Sequence, residues 1–343
     1  MVPSMMTRAY FLWLVSVANF LLPPSGRLGA EPAASPLPIV IAHRGSSGYL
    51  PEHTEGAKVL AVAQGADYVE QDVVLTRDHV FVVCHDITLE GTTDVASRYP
   101  QRRRADGKFY AADFDWAEIQ TLSVHERLKA EGKPAFPNRF PGGFHQKLMR
   151  LEDELRLLEG MNQTLGKTVG IYVELKRPAW HRDQMKIDIE RLFWKHLQEL
   201  GYTDTTKKCF LQCFERESLQ RLRHELKCPL PLIQLMSDRP QPTGNEGGQG
   251  WAETLREVRS YAAGIGPSID LLVDGRGSEV VSSGLVEAAH RAGLLVHPYT
   301  VRSDSLPAWA PSVERLQSFL IDDLKVDGFF TDFPDLGRRA VDR

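Results

Sequence analysis

The sequence predicts an α/β fold: a (β/α)8 barrel with a subdomain inserted after its second strand. Two observations lead to it. Beyond the N-terminal segment, short β-branched runs alternate with longer amphipathic ones, which is the pattern of successive βα units. That alternation then fails at one place. Val80–His85 follows the second strand after only Thr76-Arg77-Asp78-His79, whereas a parallel crossover needs about a dozen residues or more. The run must therefore turn back as a hairpin. The Arg-, Gly- and Pro-rich stretch behind it, 86–147, is longer than a simple connection requires and reads as an inserted subdomain over one barrel mouth.

The chain opens with Arg8, the apolar run AYFLWLVSVANFLL and small residues at Gly29-Ala30. The run is short for a membrane span. Residues 1–30 read as a secretory signal peptide cut near Ala30, with an uncleaved anchor as the alternative. The mature chain, 31–343, is then expected to be exported, periplasmic or extracellular, with no stable membrane anchor. Export implies an oxidising compartment. The four cysteines, Cys84, Cys209, Cys213 and Cys228, show no zinc or Cys-x-x-Cys spacing. Cys84 lies in the apolar run FVVC as a small hydrophobe, and a Cys213–Cys228 pairing stays open. Lys and Arg number 41 against 45 Asp and Glu, a formal net charge of −4. That balance gives no basic field for nucleic acid, so any anion site must be local.

Strands are expected at Pro38–His43, Asp67–Leu75, Val169–Leu175, Lys208–Phe214, Pro231–Met236, Gly264–Ile269, Leu294–Val301 and Gly328–Asp332. Helices are expected near Thr54–Gln64, Leu151–Asn162, Asp183–Gly201, Glu215–Leu226, Trp251–Ala263, Ser282–Ala292 and Val313–Lys325. Thr54 is placed to cap the first helix and Gly65 to end it. The insertion offers one modest helix signal, Asp113–Leu122, and its Arg102-Arg103-Arg104 reads as a solvated charge run. Residues 241–250 read as a flexible loop.

The chemistry collects at the C-terminal ends of the strands, the active face of such a barrel. His43 and Arg44 end the first strand. Glu70 and Asp72 lie two apart on the second, so they share a face at roughly 7 Å between Cα atoms. Glu174 and Lys176 repeat that spacing on the third. The hairpin brings His85-Asp86 to the same mouth, with His85 roughly opposite Glu70. Crowded carboxylates repel, and a hard divalent cation, Ca²⁺ or Mg²⁺, relieves the repulsion. Arg44 and Lys176 beside it suit a phosphate. Two histidines across a phosphate can serve as general base and general acid. Together these groups describe phosphodiester cleavage. The remaining histidines lack such partners, although His297 and Tyr299 share a face and could line the mouth.

The stretches HRGSSGYLPEHT, YVEQDVVLTRDHVFVVCHD, GIYVELK, FLQCF, GIGPS, VHPYTVRSD and DGFFTDFPD resemble the glycerophosphodiester phosphodiesterases, and among them the exported, calcium-dependent bacterial branch. The resemblance runs in order from Ile39 to Asp335 and includes the insertion. It implies a barrel of the TIM type that hydrolyses glycerophosphodiesters, deacylated phospholipids such as glycerophosphocholine and glycerophosphoethanolamine, to sn-glycerol 3-phosphate and an alcohol. It also implies His43 and His85 as the acid–base pair, Glu70, Asp72 and Glu174 as ligands of one cation, and Arg44 and Lys176 as phosphate contacts. Glu52 is implied to stand behind these residues. His53 replaces an asparagine common in the family, but is usual in this branch.

Two other readings compete. One is a related barrel lyase that stops at a cyclic phosphate. The match across the insertion and the late strands speaks against it. The other is a non-catalytic binding protein for glycerol phosphates, which has no need of two histidines across one phosphate.

Overall fold

The computed structural model describes residues 37–129, 131–137, 139, 146–238, 250–274 and 280–343. The signal peptide expected over 1–30 lies outside them, as does the expected loop except for Gly250, which opens a helix.

The barrel strands are β1 (Ile39–Ala42), β2 (Tyr68–Leu75), then the hairpin strand β3 (Phe81–Val83), β4 (Gly170–Leu175), β5 (Cys209–Cys213), β6 (Leu232–Met236) and β7 (Gly264–Pro267). A short antiparallel pair follows, β8 (Val273–Asp274) with β9 (Val281–Ser282), and then β10 (Leu295–Val296) and β11 (Gly328–Thr331). The hydrogen-bonded order is β10-β7-β6-β5-β4-β2-β1-β11, all parallel, with β3 antiparallel on β2. The two end strands nearly meet. Val301 bridges Thr331 in parallel, and the Phe330 N–H donates to the Pro298 carbonyl at 3.0 Å. The expected barrel is therefore found.

Strand ends agree with expectation to within a residue or two, except for Leu294–Val301. Its regular ladder covers only Leu295–Val296, because Pro298 has no N–H to donate. The segment beyond still bonds on both sides, to Pro267 and to Phe330.

The helices are α1 (Glu55–Ala63), the short α2 (Val95–Arg98) and α3 (Trp116–Ile119), α4 (Leu151–Leu165), α5 (Pro178–Met185), α6 (Ile189–Glu199), α7 (Arg216–Gln220), α8 (Gly250–Arg259), α9 (Leu285–Arg291), α10 (Val313–Ser318) and α11 (Pro334–Val341). Thr54 caps α1 as expected, accepting from the Ala57 N–H. The single helix expected over Asp183–Gly201 is two, broken at Lys186, whose φ is 58°. Helices α7 and α10 each continue into a wider π turn, Arg221–Glu225 and Phe319–Asp323. The last helix, α11, was not expected. It packs on β1, where Gly337 leaves no room for a side chain beside Val40.

Three apolar clusters hold the molecule. The largest fills the space between strands and helices and includes Val40, Val73, Leu155, Phe193, Leu211 and Leu320. A second plugs the barrel interior with Ile41, Tyr172, Phe210, Ile233 and Phe330. The third belongs to the insertion, where Leu89, Val95, Phe109, Phe114, Ile119 and Leu122 pack on Val74 and Val82 of the hairpin. The described residues of the insertion thus share one small core with the hairpin and Leu148. Its arginines are not merely solvated. Arg104 makes a bidentate pair with Asp113 at 2.7 Å, and Arg102 lies over the Phe114 ring and bonds Glu118. All four cysteines are buried free thiols.

Candidate active site

The site sits on the interior plug. Side chains alternate along a strand, so the residue two places beyond each plug residue also faces the barrel axis. Beyond Ile41 comes His43, beyond Tyr172 comes Glu174, and beyond Phe210 comes Gln212. Register adds to this: Asp72 pairs with Glu174 across β2 and β4, and Glu174 with Gln212 across β4 and β5. One cavity of about 250 Å³ is lined by His43, Arg44, Glu70, Asp72, His85, Glu174 and Lys176. The seven residues singled out in the sequence for catalysis, phosphate and metal therefore come together. Glu52 stands just behind them.

Local backbone conformation aims these groups. Arg44 and Gly45 both have positive φ, 56° and 84°. This turn points the Arg44 N–H at Glu70 Oε2, 2.7 Å away. A Cβ on Gly45 would stand 2.8 Å from the Ala57 carbonyl group, so only glycine lets α1 approach so closely. On the hairpin, the register Val73↔Val83 extends to set His85 against Gln71 rather than Glu70. The regular ladder has ended by then, and the His85 ring turns into the cavity.

Each histidine is backed by a carboxylate. His43 Nδ1 lies 2.7 Å from Asp332 Oδ1, and His85 Nδ1 lies 2.7 Å from Asp86 Oδ1. A carboxylate only accepts, so each ring carries its proton on Nδ1 and keeps Nε2 as an acceptor. Burial, then the Arg44 charge, lowers the His43 pKa against the pull of Asp332. Burial with Arg44 and Lys176 lowers that of His85 to about 4. Both rings are neutral at neutral pH.

A chain of charges ties the groups together. Glu52 accepts from Arg44 Nη1 at 3.0 Å and from Arg127 Nε and Nη2 at 2.6 Å each. Arg127 Nη1 also reaches Asp86 Oδ2 at 2.8 Å. A residue of the insertion therefore connects the partner of His85 to the partner of Arg44. On the other side, Arg302 lies 3.6 Å from Asp332 and pairs with Asp304.

The carboxylates are unevenly charged. Burial pushes the Glu70 carboxyl well above the ordinary range, and Asp72 adds to the shift. At Asp72 burial acts the same way, but Lys176, His85 and His53 outweigh it and hold this carboxyl well below its usual range. Glu174 is raised to about 7, chiefly by burial, with Lys176 opposing and Asp72 reinforcing. Asp72 Oδ1 is buried without a hydrogen-bond donor. Ligand atoms of His53, Glu70 and Asp72 all lie within 4.8 Å of one another. A divalent cation fits this donor set. The grouping differs from the sequence expectation in its third member. His53 Nε2 lies 2.8 Å from Asp72 Oδ2, while Glu174 Oε1 is bonded to Lys176 at 2.7 Å.

Residues 43–336 match the glycerophosphoryl diester phosphodiesterase family. The chain belongs to this family. It is 39% identical over 322 residues to a glycerophosphodiester phosphodiesterase of Haemophilus influenzae, covering 87% of this chain and 88% of that one. It is 35% identical over 324 residues to one of Treponema pallidum, covering 87% and 90%. Among solved structures, it resembles an Oleispira antarctica phosphodiesterase in complex with the product sn-glycerol-3-phosphate, with a TM-score of 0.61 and 21% identity over 90% of this chain and 98% of that chain. A glycerophosphodiester phosphodiesterase from Agrobacterium tumefaciens gives 0.58 and 24%, over 88% and 100%. At these identities the two structures speak for the fold.

In this member of the family, sequence reasoning left Asp332, Arg302, Arg127 and His53 without a role at the site. Asp332 carried a usable signal. It follows the last strand as His43 follows the first, and a closed barrel makes those strands neighbours. His297, read only as able to line the mouth, is buried and bonds Tyr172 Oη at 2.9 Å. Tyr299 does line the cavity.

Proposed function

We propose that this phosphodiesterase-family chain hydrolyses glycerophosphodiesters to sn-glycerol 3-phosphate and an alcohol. One observation carries the reading: two neutral imidazoles, each backed by a carboxylate, face a single cavity that also holds Arg44 and Lys176. Those two cations suit the phosphate. One Nε2 accepts the proton of the attacking hydroxyl. The other ring takes a proton from solvent on Nε2 when the anionic phosphate binds beside it and gives that proton to the departing alkoxide, while the first ring returns its proton to solvent. Asp332 and Asp86 keep each ring in the right tautomer and stabilise its charged form. The attacking hydroxyl is either the glycerol 2-hydroxyl or water, and both use the same rings.

Glu70 and Asp72, with His53 or Glu174 beside them, would hold one divalent cation, which supplies charge neutralisation at the phosphate oxygens. Oxygen donors favour Ca²⁺, with Mg²⁺ the alternative. We read the chain as an exported enzyme of the calcium-dependent bacterial branch, on the strength of the signal-like residues 1–30 and the motifs quoted above. No helix among the described residues is long and apolar enough to cross a membrane.

The test is incubation of the purified protein with glycerophosphocholine, with and without a calcium chelator, and assay for glycerol 3-phosphate. Release that stops under chelation and returns with calcium is expected. A cyclic phosphate as the end product would identify a lyase instead.

A further inference from the structure

A second cavity, about 400 Å³ in volume, adjoins the catalytic one. Phe214 and Leu235 line both. Phe214 directly follows β5, and its side chain is unusually open for an aromatic residue, 42% exposed. It is nonetheless held in place. Buried Gln234 donates to the Phe214 carbonyl at 3.0 Å and accepts from Tyr261 Oη at 2.8 Å. The Tyr299 ring meets Phe214 edge to face at 5.9 Å, and Tyr299 Oη is tied to the Met236 carbonyl at 3.1 Å.

The two cavities differ in chemistry. The catalytic one carries the cations that suit a phosphate. The second is walled by Phe214, Leu235, Met236 and Val258, with charge at two residues only. Arg216 is taken up by both oxygens of Glu257, at 2.7 and 2.6 Å. Asp238 accepts from Ser237 Oγ at 2.8 Å and has no cation partner among the described residues. The amide of Gln234 is already committed to Phe214 and Tyr261. The wall therefore offers an aromatic face and one carboxylate without a cation partner among the described residues. An ammonium group is attracted by both features, whereas a neutral polyol can bond the Asp238 carboxylate but brings no charge to meet it.

We propose that this second cavity receives the alcohol half of the substrate, and that Phe214 and Asp238 select alcohols carrying an ammonium group. The proposal rests on the hydrolytic reading above and adds to it the class of leaving group.

The experiment compares kcat/KM for glycerophosphocholine and glycerophosphoethanolamine with that for glycerophosphoglycerol and glycerophosphoinositol. The variants are Asp238→Asn and Asp238→Lys, both on the cavity wall away from the histidines. Asp238→Asn should lower kcat/KM for the two cationic substrates by about tenfold and leave the two neutral-alcohol substrates within about twofold. Asp238→Lys should deepen the loss on the cationic pair. Ratios that stay unchanged in both variants, or an equal loss on all four substrates, overturn the subsite while leaving the hydrolytic reading intact. A wild-type protein that cleaves none of the four defeats that reading, and the subsite falls with it.

Discussion

Asp72 and Glu174 stand directly opposite each other on neighbouring parallel strands, two carboxylates side by side beneath the cavity. Burial and mutual repulsion make this arrangement costly without a cation. Glu70→Gln and Asp72→Asn should therefore each weaken calcium affinity and turnover together. Glu174→Gln should weaken affinity more than His53→Gln, because calcium favours oxygen donors. Calorimetric titration checks the order. A bound metal stabilises by about 2.7 kcal/mol at a hundredfold excess over its Kd. Chelator should thus lower the Tm of the wild type and barely move that of Glu70→Gln and Asp72→Asn. Full activity in excess chelator with an unmoved Tm would show that the cluster holds no metal.

His43→Ala and His85→Ala should each reduce turnover by roughly two to four orders of magnitude. The double variant should lose far less than the product, because the rings act on one substrate as one unit. Circular dichroism should show both single variants folded. Near-normal turnover in either one would remove that ring from the mechanism.

Arg127 acts through its neighbours. Arg127→Met removes the cation between Asp86 and Glu52, so His85 and Arg44 lose the far ends of their supports. A fall in kcat of about ten- to a hundredfold is expected, the scale seen when groups that orient a reacting residue are lost. With a positive charge gone, the pKa of His85 should rise, moving the acid limb of the pH–rate profile to higher pH. Arg127→Lys should recover part of both effects. A profile that keeps its midpoint while activity falls would indicate loss of folding alone.

His297 gives stability a pH dependence. Burial lowers its pKa from 6.5 to about 4. The unfolded chain therefore binds a proton that the folded one refuses. The contribution is fully present above pH 6.5 and is lost as pH falls toward about 4, amounting to about 3 kcal/mol. His297→Gln keeps a polar partner for Tyr172 without titrating. Urea midpoints of the variant should fall less steeply between pH 6.5 and 4 than those of the wild type. Parallel slopes would refute the assignment.

Lys58 and Glu154 form an ion pair at 2.8 Å with neither side chain exposed. Gln71 also donates to Glu154, and Lys58 to the Glu70 carbonyl. Lys58→Met leaves a buried carboxylate without its cation and should destabilise the fold by about 3–5 kcal/mol. The double change Lys58→Met with Glu154→Met should recover much of this. Chemical denaturation of the three proteins decides it.

The strands and the groups at their ends were legible because period-two alternation is local and the carboxylates occur in pairs along it. Helix interruptions were less so. Nothing in Met185-Lys186-Ile187 announces the left-handed turn at Lys186. Arg127 was hidden for a different reason. It is one arginine among many in a polar segment, and its partners lie 75 and 41 positions away. Only the folded insertion, built on Phe109, Phe114 and Leu122, singles it out. His53 was noticed as a departure from the common asparagine, but its bond to Asp72 depends on the positive φ of the turn that carries it.

The junction of the first and last strands bears on when this chain becomes competent. His43 meets Asp332 across 289 positions, and α11 then lies against β1. His43 must wait for Asp332, made 289 positions later, before its ring has a tautomer and a fixed direction. During synthesis, a partly emerged chain carries an unfinished cavity. A polypeptide cut short before Asp332 would carry His43 with no carboxylate to fix its ring.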